Sequence, residues 1–254
     1  MKAMLFAAGL GTRLKPLTDS MPKALVPVNG TPMLEHVILK LKDAGFTDIV
    51  VNIHHFGEQI IDFLKARQNF GIRIQISDER KELLDTGGGI KHARALLEGN
   101  EPFLVHNVDI LSDTDLRKVY EYHCHSNHTA TLVASKRKTS RYLLFDNTDR
   151  LCGWVNESTG ETKPSGFTVD EAIHRKYAFS GIHVMSPDIF REMTGPWDGK
   201  FPIMDFYLQH CDKLLLGGYL CENIQLIDIG KPETLQRADI FVRNLQKPSK
   251  TETI

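Results

Sequence analysis

The hydrophobic positions of the chain alternate between the spacing of buried strands and the spacing of amphipathic helices. Near the N-terminus the apolar run Met4-Leu5-Phe6-Ala7-Ala8 predicts a buried first strand. Apolar residues three and four apart between Met33 and Leu41 predict a helix that ends at Gly45. Further strands are expected at 48–53, 72–77, 103–108 and 130–134, and helices at 57–66, from about 88, and at 113–125. This βαβ alternation predicts an α/β fold, with a mostly parallel mixed sheet and helices on both faces.

The second half of the chain follows a different pattern. Residues 142 to 185 are rich in strand-forming runs, and helices are expected at 187–193, 202–211 and 232–245. No internal repeat of solenoid length is present, which favours a single domain over residues 1–246. The polar segment 247–254 is predicted to be a frayed C-terminal tail.

A glycine-rich loop directly follows the first strand and carries both flexible backbone and positive charge. Gly9 and Gly11 expose backbone N–H groups, Arg13 adds a planar fork, and Lys23 adds a mobile charge. The loop has neither the spacing of a P-loop nor the third glycine of a dinucleotide fingerprint, where Leu14 stands instead. It is predicted to bind a polyphosphate by another arrangement, the simpler alternative being a tight turn with solvated basic residues.

Two aspartates each follow an apolar strand. Asp109 ends Asn107-Val108-Asp109, where open α/β sheets bind ligands, and Asp228 precedes a glycine and a helix start. Carboxylate oxygens are ligands that Mg²⁺ prefers, although either residue is also suited to a turn or helix cap.

Several of these motifs together resemble the sugar-1-phosphate nucleotidyltransferases, and the resemblance extends over about residues 1 to 245. The matching segments are Ala7-Ala8-Gly9-Leu10-Gly11-Thr12-Arg13-Leu14-Lys15-Pro16-Leu17-Thr18, Pro22-Lys23, Leu84-Asp85-Thr86-Gly87-Gly88-Gly89-Ile90, Asn107-Val108-Asp109, Phe179-Ser180-Gly181 and Asp228-Ile229-Gly230-Lys231-Pro232-Glu233. The resemblance implies a Rossmann-like fold of the nucleotide-diphospho-sugar transferase type. It also implies a reaction in which a nucleoside triphosphate and a sugar 1-phosphate give a nucleotide-sugar and pyrophosphate.

The resemblance assigns roles to residues of this chain. Arg13 and Lys23 are the expected catalytic residues, and Asp109 with Asp228 is expected to hold Mg²⁺. The residues expected to bind the nucleotide are Ala8, Gly9, Gly11, Thr12, Gly87 and Gly88, and those expected to contact the sugar are Asn107, Ser180 and Gly181. The lysine that grips the sugar phosphate in relatives lacks its usual motif here, and Lys163 and Lys176 both remain candidates.

The composition of the chain restricts the classes of partner that it is expected to bind. Charged residues make up 25% of the chain and the net charge is −1, so neither nucleic acid nor an anionic membrane is an expected partner. The four cysteines form no Cys-x-x-Cys pair, and no apolar run is long enough to cross a bilayer, which favours a cytoplasmic monomer or small homo-oligomer. His123, His125 and His128 lack the paired spacing of a zinc site, and any role for them stays open.

Among the possible substrates, the motifs favour uridylyl transfer to N-acetylmuramate 1-phosphate. The loop at 86–90 resembles that of N-acetylmuramate 1-phosphate uridylyltransferases, while guanylyltransferases for mannose or heptose 1-phosphate share much of the pattern. A silent nucleotide-sugar-binding regulatory protein is the alternative of another class, although it would be expected to lose Lys23, Arg13 or an aspartate. A dinucleotide-dependent oxidoreductase is disfavoured by the glycine spacing.

Overall fold

The order of strands and helices follows the alternation of apolar patterns. The computed structural model describes residues 1–245, so the predicted tail at 247–254 lies outside the described residues. The strands are β1 (Lys2–Phe6), β2 (Pro27–Val28), β3 (Thr31–Pro32), β4 (Asp48–Ile53), β5 (Arg73–Asp78), β6 (Phe103–Asn107), β7 (Ile110–Ser112), β8 (Ala130–Ser135), β9 (Arg141–Phe145), β10 (Leu151–Asn156), β11 (Glu161–Lys163), β12 (Arg175–Met185), β13 (Leu216–Cys221) and β14 (Leu226–Asp228). The α-helices are α1 (Met33–Asp43), α2 (Gly57–Ala66), α3 (Asp85–His92), α4 (Arg94–Leu97), α5 (Leu116–His125), α6 (Ile203–His210) and α7 (Pro232–Leu245).

One mixed sheet organises the molecule. Its main path runs β11-β10-β9-β12-β6-β1-β4-β5, and β8 joins it by pairing with β12 and with β13. The strands β6, β1, β4 and β5 run parallel, whereas β12 pairs antiparallel with β6, β8 and β9. The predicted α/β class with a mixed sheet is confirmed.

Helices cover both faces of this sheet because successive strand residues point to opposite sides. In β1, Leu5 packs in a core covered by α1, α2, α5 and α7. Its neighbour Met4 packs in the opposite core, beneath α3, α4 and α6. Both residues are fully buried, so β1 is the centre of a three-layer arrangement.

The parallel strands end in register at one edge. Phe6, the last residue of β1, is paired with Asn52 of β4 and with Asn107 of β6. On the far side of β4, Asn52 is paired with Ser77 of β5. The segments that follow these residues therefore leave the sheet side by side, at the carboxyl ends where α/β folds bind ligands.

Three elements differ from the sequence predictions. The helix expected at 113–125 begins at Leu116, because Ile110–Ser112 forms β7 and Asp115 caps the helix through the amide of Lys118. The glycine run, expected to precede a helix, lies inside α3. The helix expected at 187–193 is a shorter 3₁₀ turn, Pro187–Arg191.

Three histidines lie inside the protein without an acidic partner to stabilise their charge. Burial lowers the pKa of His106 and of His123 to about 4, and that of His183 to about 3. His123 shares hydrogen bonds with Thr131 (2.9 Å) and Ser186 (3.0 Å), and His183 shares one with the Tyr207 hydroxyl (2.6 Å). The three rings are therefore neutral when the chain is folded.

These histidines should make stability depend on pH. Their folded pKa values lie below the unfolded value of 6.5, so between pH 6.5 and about 4 the unfolded chain binds more protons than the folded one. The free energy of unfolding should fall with decreasing pH in this window, by up to about 1.4 kcal/mol per pH unit for each histidine. Urea unfolding at pH 7.0 and 5.5 measures this slope.

The matched comparison uses two variants of one helix. His123→Gln removes a buried titrating ring and should flatten the slope, while His125→Gln replaces an exposed ring and should leave the slope unaltered. An equal slope for His123→Gln and the unmodified protein would contradict the explanation.

Candidate active site

A cavity of about 340 Å³ opens where β1 and β6 end. Its wall includes the loop residues Ala8 and Gly9, the side chain of Lys23, and Asp109 directly after β6. Asp85 and Thr86 close the opposite side from the start of α3. The structure thus brings together residues that lie about a hundred positions apart in the sequence.

The glycine loop, of which Gly9 lines this cavity, leaves backbone donors free. Within the described residues, the amides of Gly9, Leu10 and Gly11 donate no hydrogen bond to a protein acceptor. Gly11 has a φ of 65°, and a Cβ there would lie 2.8 Å from Thr18 and 3.0 Å from Lys23, so the turn requires glycine. Unpaired amides next to a basic side chain are suited to an anion, and nucleotide binding by Ala8, Gly9 and Gly11 stays a prediction. Thr12 faces a smaller neighbouring cleft with His55 and is not part of this wall.

A buried asparagine and glutamate brace the cavity. The Asn52 side-chain oxygen accepts hydrogen bonds from the amides of Ala7 (2.7 Å) and Ala8 (3.3 Å). Its amide group donates to Glu79 (2.8 Å), whose second oxygen accepts from the amide of Leu84 (3.2 Å). The amide of Ala8 is thereby directed at Asn52, and the loop after β1 is tied to the start of α3.

Lys23 and Asp109 form an ion pair inside the cavity. The two side chains are 11% and 22% exposed, so water screens this pair less than the surface pairs of the protein. The carboxylate predicted to hold a metal therefore faces the lysine predicted to hold a phosphate.

A small separate sheet brings Asp228 next to Asp109. Strand β14, which ends at Asp228, pairs with β7, and the amide of Ile229 donates to the Asp109 carbonyl (2.9 Å). Desolvation and the negative charge of Asp109 raise the pKa of Asp228. Strands β7 and β14 form a two-stranded sheet of their own, separate from the main sheet, which brings the two aspartates together.

Arg13 faces a second, larger cavity of about 810 Å³. This cavity shares Phe6, Thr86 and Asn107 with the first one, so the two adjoin. Its lining contains the basic residues Arg13, Arg137, Arg141, Lys163 and Lys231 and the acidic residues Asp205 and Asp228. The excess of cations suits an anionic ligand.

The two candidate lysines lie in different places. Lys163, at the end of β11, lines the larger cavity, bonds Asp205 at 2.9 Å and lies 5.6 Å from the centre of the Trp154 ring. Lys176 pairs with Glu157 and Glu171 and lines none of the cavities described above. Of these two candidates, Lys163 lines a described cavity and Lys176 does not, and contact of either with a sugar phosphate stays a prediction.

The three consecutive glycines serve close packing within α3. A Cβ on Gly87 would lie 2.2 Å from the Phe201 ring, and one on Gly88 would lie 2.2 Å from the Gly199 carbonyl oxygen. Both glycines are buried, and the cavity wall at this point is formed by Asp85 and Thr86 instead. Nucleotide binding by Gly87 and Gly88 stays a prediction, since packing alone accounts for the absence of side chains.

The three residues predicted to contact the sugar are not equivalent. Asn107 lines both cavities, at their junction. Ser180 is fully buried, and its hydroxyl has no hydrogen-bond partner in the described part of the chain. Gly181 has a φ of 70° and packs against Asn107, which would lie 3.1 Å from a Cβ at that position. The geometry favours Gly181 as the support of Asn107, and direct sugar contact by Ser180 and Gly181 stays a prediction.

The histidines form no metal centre among the residues described. His123 and His128 both approach the Thr131 hydroxyl, at 2.9 and 3.1 Å, and His125 bonds the Glu121 carbonyl (2.7 Å). No group of three potential metal-ligating side chains occurs within residues 1–245. These rings serve internal hydrogen bonding.

Sequence reasoning missed several residues of the site. Asn52 and Glu79 gave no motif signal, although an asparagine among the four apolar residues of β4 is a detectable anomaly. Arg137 belongs to no motif, yet it lines the larger cavity and donates to the Phe179 carbonyl (2.9 Å).

The sequence matches a known protein family over almost its whole length. The family model described as nucleotidyl transferase matches residues 2–244. The chain belongs to the nucleotidyl transferase family. It is therefore an enzyme of the class that the sequence motifs predicted.

Relatives of this nucleotidyltransferase differ in their substrates. An N-acetylmuramate alpha-1-phosphate uridylyltransferase of Caulobacter vibrioides is 35% identical over 226 residues, covering 86% of each chain. A second such protein, from Neisseria meningitidis, is 46% identical over 121 residues, which cover 48% of this chain and 52% of the relative. A probable mannose-1-phosphate guanylyltransferase of rice (Oryza sativa) is 34% identical over 196 residues, covering 74% of this chain and 51% of the relative.

Solved structures share the fold. A putative glucose-1-phosphate thymidylyltransferase from Bacillus anthracis superposes with a TM-score of 0.79 at 21% identity, covering 98% and 97% of the two chains. HddC from Yersinia pseudotuberculosis, complexed with GMP-PN, gives a TM-score of 0.73 at 23% identity, covering 95% and 99%. No helix of the described residues is long and apolar enough to cross a membrane.

Neutralising either aspartate should change the stability of the ligand-free protein, but in opposite directions. Asp228→Asn removes a charge that is desolvated and repelled by Asp109, so it should raise the melting temperature of the ligand-free protein. Asp109→Asn leaves Lys23 without its partner and should lower stability by about 1–3 kcal/mol. Thermal unfolding in EDTA compares the two variants, and equal shifts of the same sign would contradict the asymmetry.

Proposed function

We propose that this nucleotidyltransferase couples UTP to N-acetylmuramate 1-phosphate and releases pyrophosphate. The observation that carries the reaction is the junction of two cavities, one with free loop amides and Lys23, the other rich in cations. The choice of base and sugar is supported by the Caulobacter vibrioides relative, which is similar over 86% of the chain. The nucleotide lies in the smaller cavity in this proposal, and the sugar 1-phosphate in the larger one.

The chemistry requires positioning rather than a general base. A phosphate oxygen of the sugar 1-phosphate is the nucleophile, and it carries negative charge at neutral pH. The obstacle is the approach of this anion to a triphosphate, which calls for preorganised positive charge. In this proposal Lys23 binds the α-phosphate, and the amides of residues 9–11 bind the leaving pyrophosphate. Arg13, which lines the larger cavity, stabilises the negative charge of the phosphate groups where the two cavities meet.

Mg²⁺ fits the two aspartates. Asp109, directly before β7, and Asp228, at the end of the paired strand β14, offer hard oxygen donors. Burial and the charge of Asp109 raise the pKa of Asp228, so the site favours a further cation. No third acidic or histidine side chain joins them in the described chain, so oxygens of the nucleotide would complete the coordination. When bound, Mg²⁺ neutralises charge on the triphosphate.

The outer part of the larger cavity is assigned to the sugar. Trp154 offers an apolar ring face, and the pair of Lys163 with Asp205 offers a cation and an acceptor beside it. Arg137 lies near enough to Asp228 to lower the pKa of that carboxyl group. Together with Lys163 it gives this wall two cations. An anionic sugar is therefore suited to this wall.

The alternatives are distinct. A mannose or heptose 1-phosphate guanylyltransferase uses the same two cavities and is supported by the rice relative. A catalytically silent regulatory protein is disfavoured because Arg13, Lys23, Asp109 and Asp228 are all present at the cavities. A cytoplasmic location and a role in cell-wall precursor synthesis belong to the proposal for the uridylyl reaction.

Substrate choice is tested with panels of nucleoside triphosphates and sugar 1-phosphates. UTP with N-acetylmuramate 1-phosphate should release pyrophosphate at least about tenfold faster than any other pair, which corresponds to about 1.4 kcal/mol of discrimination. With Mg²⁺ present, UTP should also raise the melting temperature more than ATP, GTP or CTP, because binding stabilises the folded state. A preference for GTP with mannose or heptose 1-phosphate would move the assignment to the guanylyltransferases.

The lysine that holds the sugar 1-phosphate is tested by a matched pair of variants. Lys163→Met should raise KM for the sugar 1-phosphate by about 10- to 100-fold, because a charged hydrogen bond contributes about 1.5–3 kcal/mol. The KM for the nucleotide should change little. Lys176→Met removes a lysine whose partners are Glu157 and Glu171, and both KM values should stay near those of the unmodified enzyme. Reversed effects would assign the role to Lys176.

A further inference from the structure

Lys23 occupies an unexpected position for a residue that is to contact phosphate. Its ammonium group bonds an Asp109 carboxylate oxygen, and only 11% of its side chain is exposed. The β-carbon of Lys23 lies close to Gly11, so the residue is anchored in the glycine loop. The cation of the nucleotide loop and a carboxylate suited to metal therefore neutralise each other when no ligand is present.

The neighbouring carboxylate is in a different state. Asp228 makes no salt bridge in the described residues. Its carboxylate lies 3.0 Å, and the Arg13 guanidinium 2.9 Å, from the position where a Cβ on Gly230 would stand, so Arg13 is a neighbour of Asp228 but does not cover it. One carboxylate of the pair is thus blocked by a lysine, and the other is open at the cavity wall.

A divalent cation approaching the ligand-free protein meets poor conditions. It finds at most two protein carboxylates, since no third ligand is grouped with them in residues 1–245. To bind both, it must displace an ammonium group that is partly shielded from water, and the two cations repel each other.

We propose that Lys23 acts as a counter-ion that excludes divalent metal from the nucleotide-free enzyme. An incoming triphosphate, the ligand class of the proposed function, draws Lys23 from Asp109 to a phosphate oxygen. This exchange frees Asp109 for the metal, and the phosphates supply the ligands that the protein lacks. Nucleotide and metal therefore bind with strong positive coupling, which by linkage is reciprocal.

The test measures metal binding directly, without turnover. Mn²⁺, which accepts the same oxygen ligands as Mg²⁺, is titrated into the nucleotide-free protein and its free fraction is read by electron paramagnetic resonance. The unmodified protein should bind Mn²⁺ weakly, and UTP should tighten binding at least about tenfold. Lys23→Gln should bind Mn²⁺ without nucleotide at least about tenfold more tightly than the unmodified protein, because the competing cation is gone.

Three controls isolate the charge of Lys23. Lys23→Arg keeps a cation and should bind Mn²⁺ as weakly as the unmodified protein. Lys200→Gln removes another lysine of the same cavity, one with no ion-pair partner in the described residues, and should leave Mn²⁺ binding unchanged. Lys23→Gln combined with Asp109→Asn should lose the gain in affinity.

Two outcomes overturn the proposal. One is Mn²⁺ binding by Lys23→Gln no tighter than by the unmodified protein. The other is tight Mn²⁺ binding by the unmodified, nucleotide-free protein, a result that does not depend on how the variants fold. The experiment uses no sugar, and ATP, GTP and CTP serve beside UTP, so failure of the proposed substrate assignment is distinguishable from failure of the counter-ion.

Discussion

The in-register ending of three parallel strands is the constraint on which the site depends. Phe6, Asn52 and Asn107 lie side by side; β1 and β6 end at this row, and β4 ends one residue later at Ile53. The side-chain oxygen of Asn52 accepts hydrogen bonds from the amides of Ala7 and Ala8, and its amide group donates one to Glu79. A loop that would be mobile by itself is fixed by hydrogen bonds to buried residues, which is what preorganised charge stabilisation requires.

Unfavourable charge interactions are concentrated around Asp109 and Asp228, where ligands are expected. Burial and the nearby charge of Asp109 raise the pKa of Asp228, and the ammonium group of Lys23 neutralises Asp109. A folded protein tolerates like charges at such distances only where something else compensates them. The cluster is thus better suited to receive a triphosphate with its metal than to stabilise the ligand-free fold.

Glycine has two separate uses in this chain. At Gly11 a positive φ and the closeness of Thr18 demand it, and the loop amides are left free. At Gly87 and Gly88 the missing side chains let α3 pack against Phe201 and the Gly199 backbone. A glycine run in a sequence therefore does not distinguish ligand contact from helix packing, because both need the same absence of a Cβ.

Local patterns determined the α/β class and most element positions, because hydrophobic periodicity and turn residues act over a few neighbours. Strand β4 and helix α2 lie where the sequence predicts them. Tertiary structure alone decided the pairing of β7 with β14, the ion pair of Lys23 with Asp109, and the choice of Lys163 over Lys176 as the lysine at the larger cavity. These depend on the distance between side chains from remote segments, which no local pattern encodes.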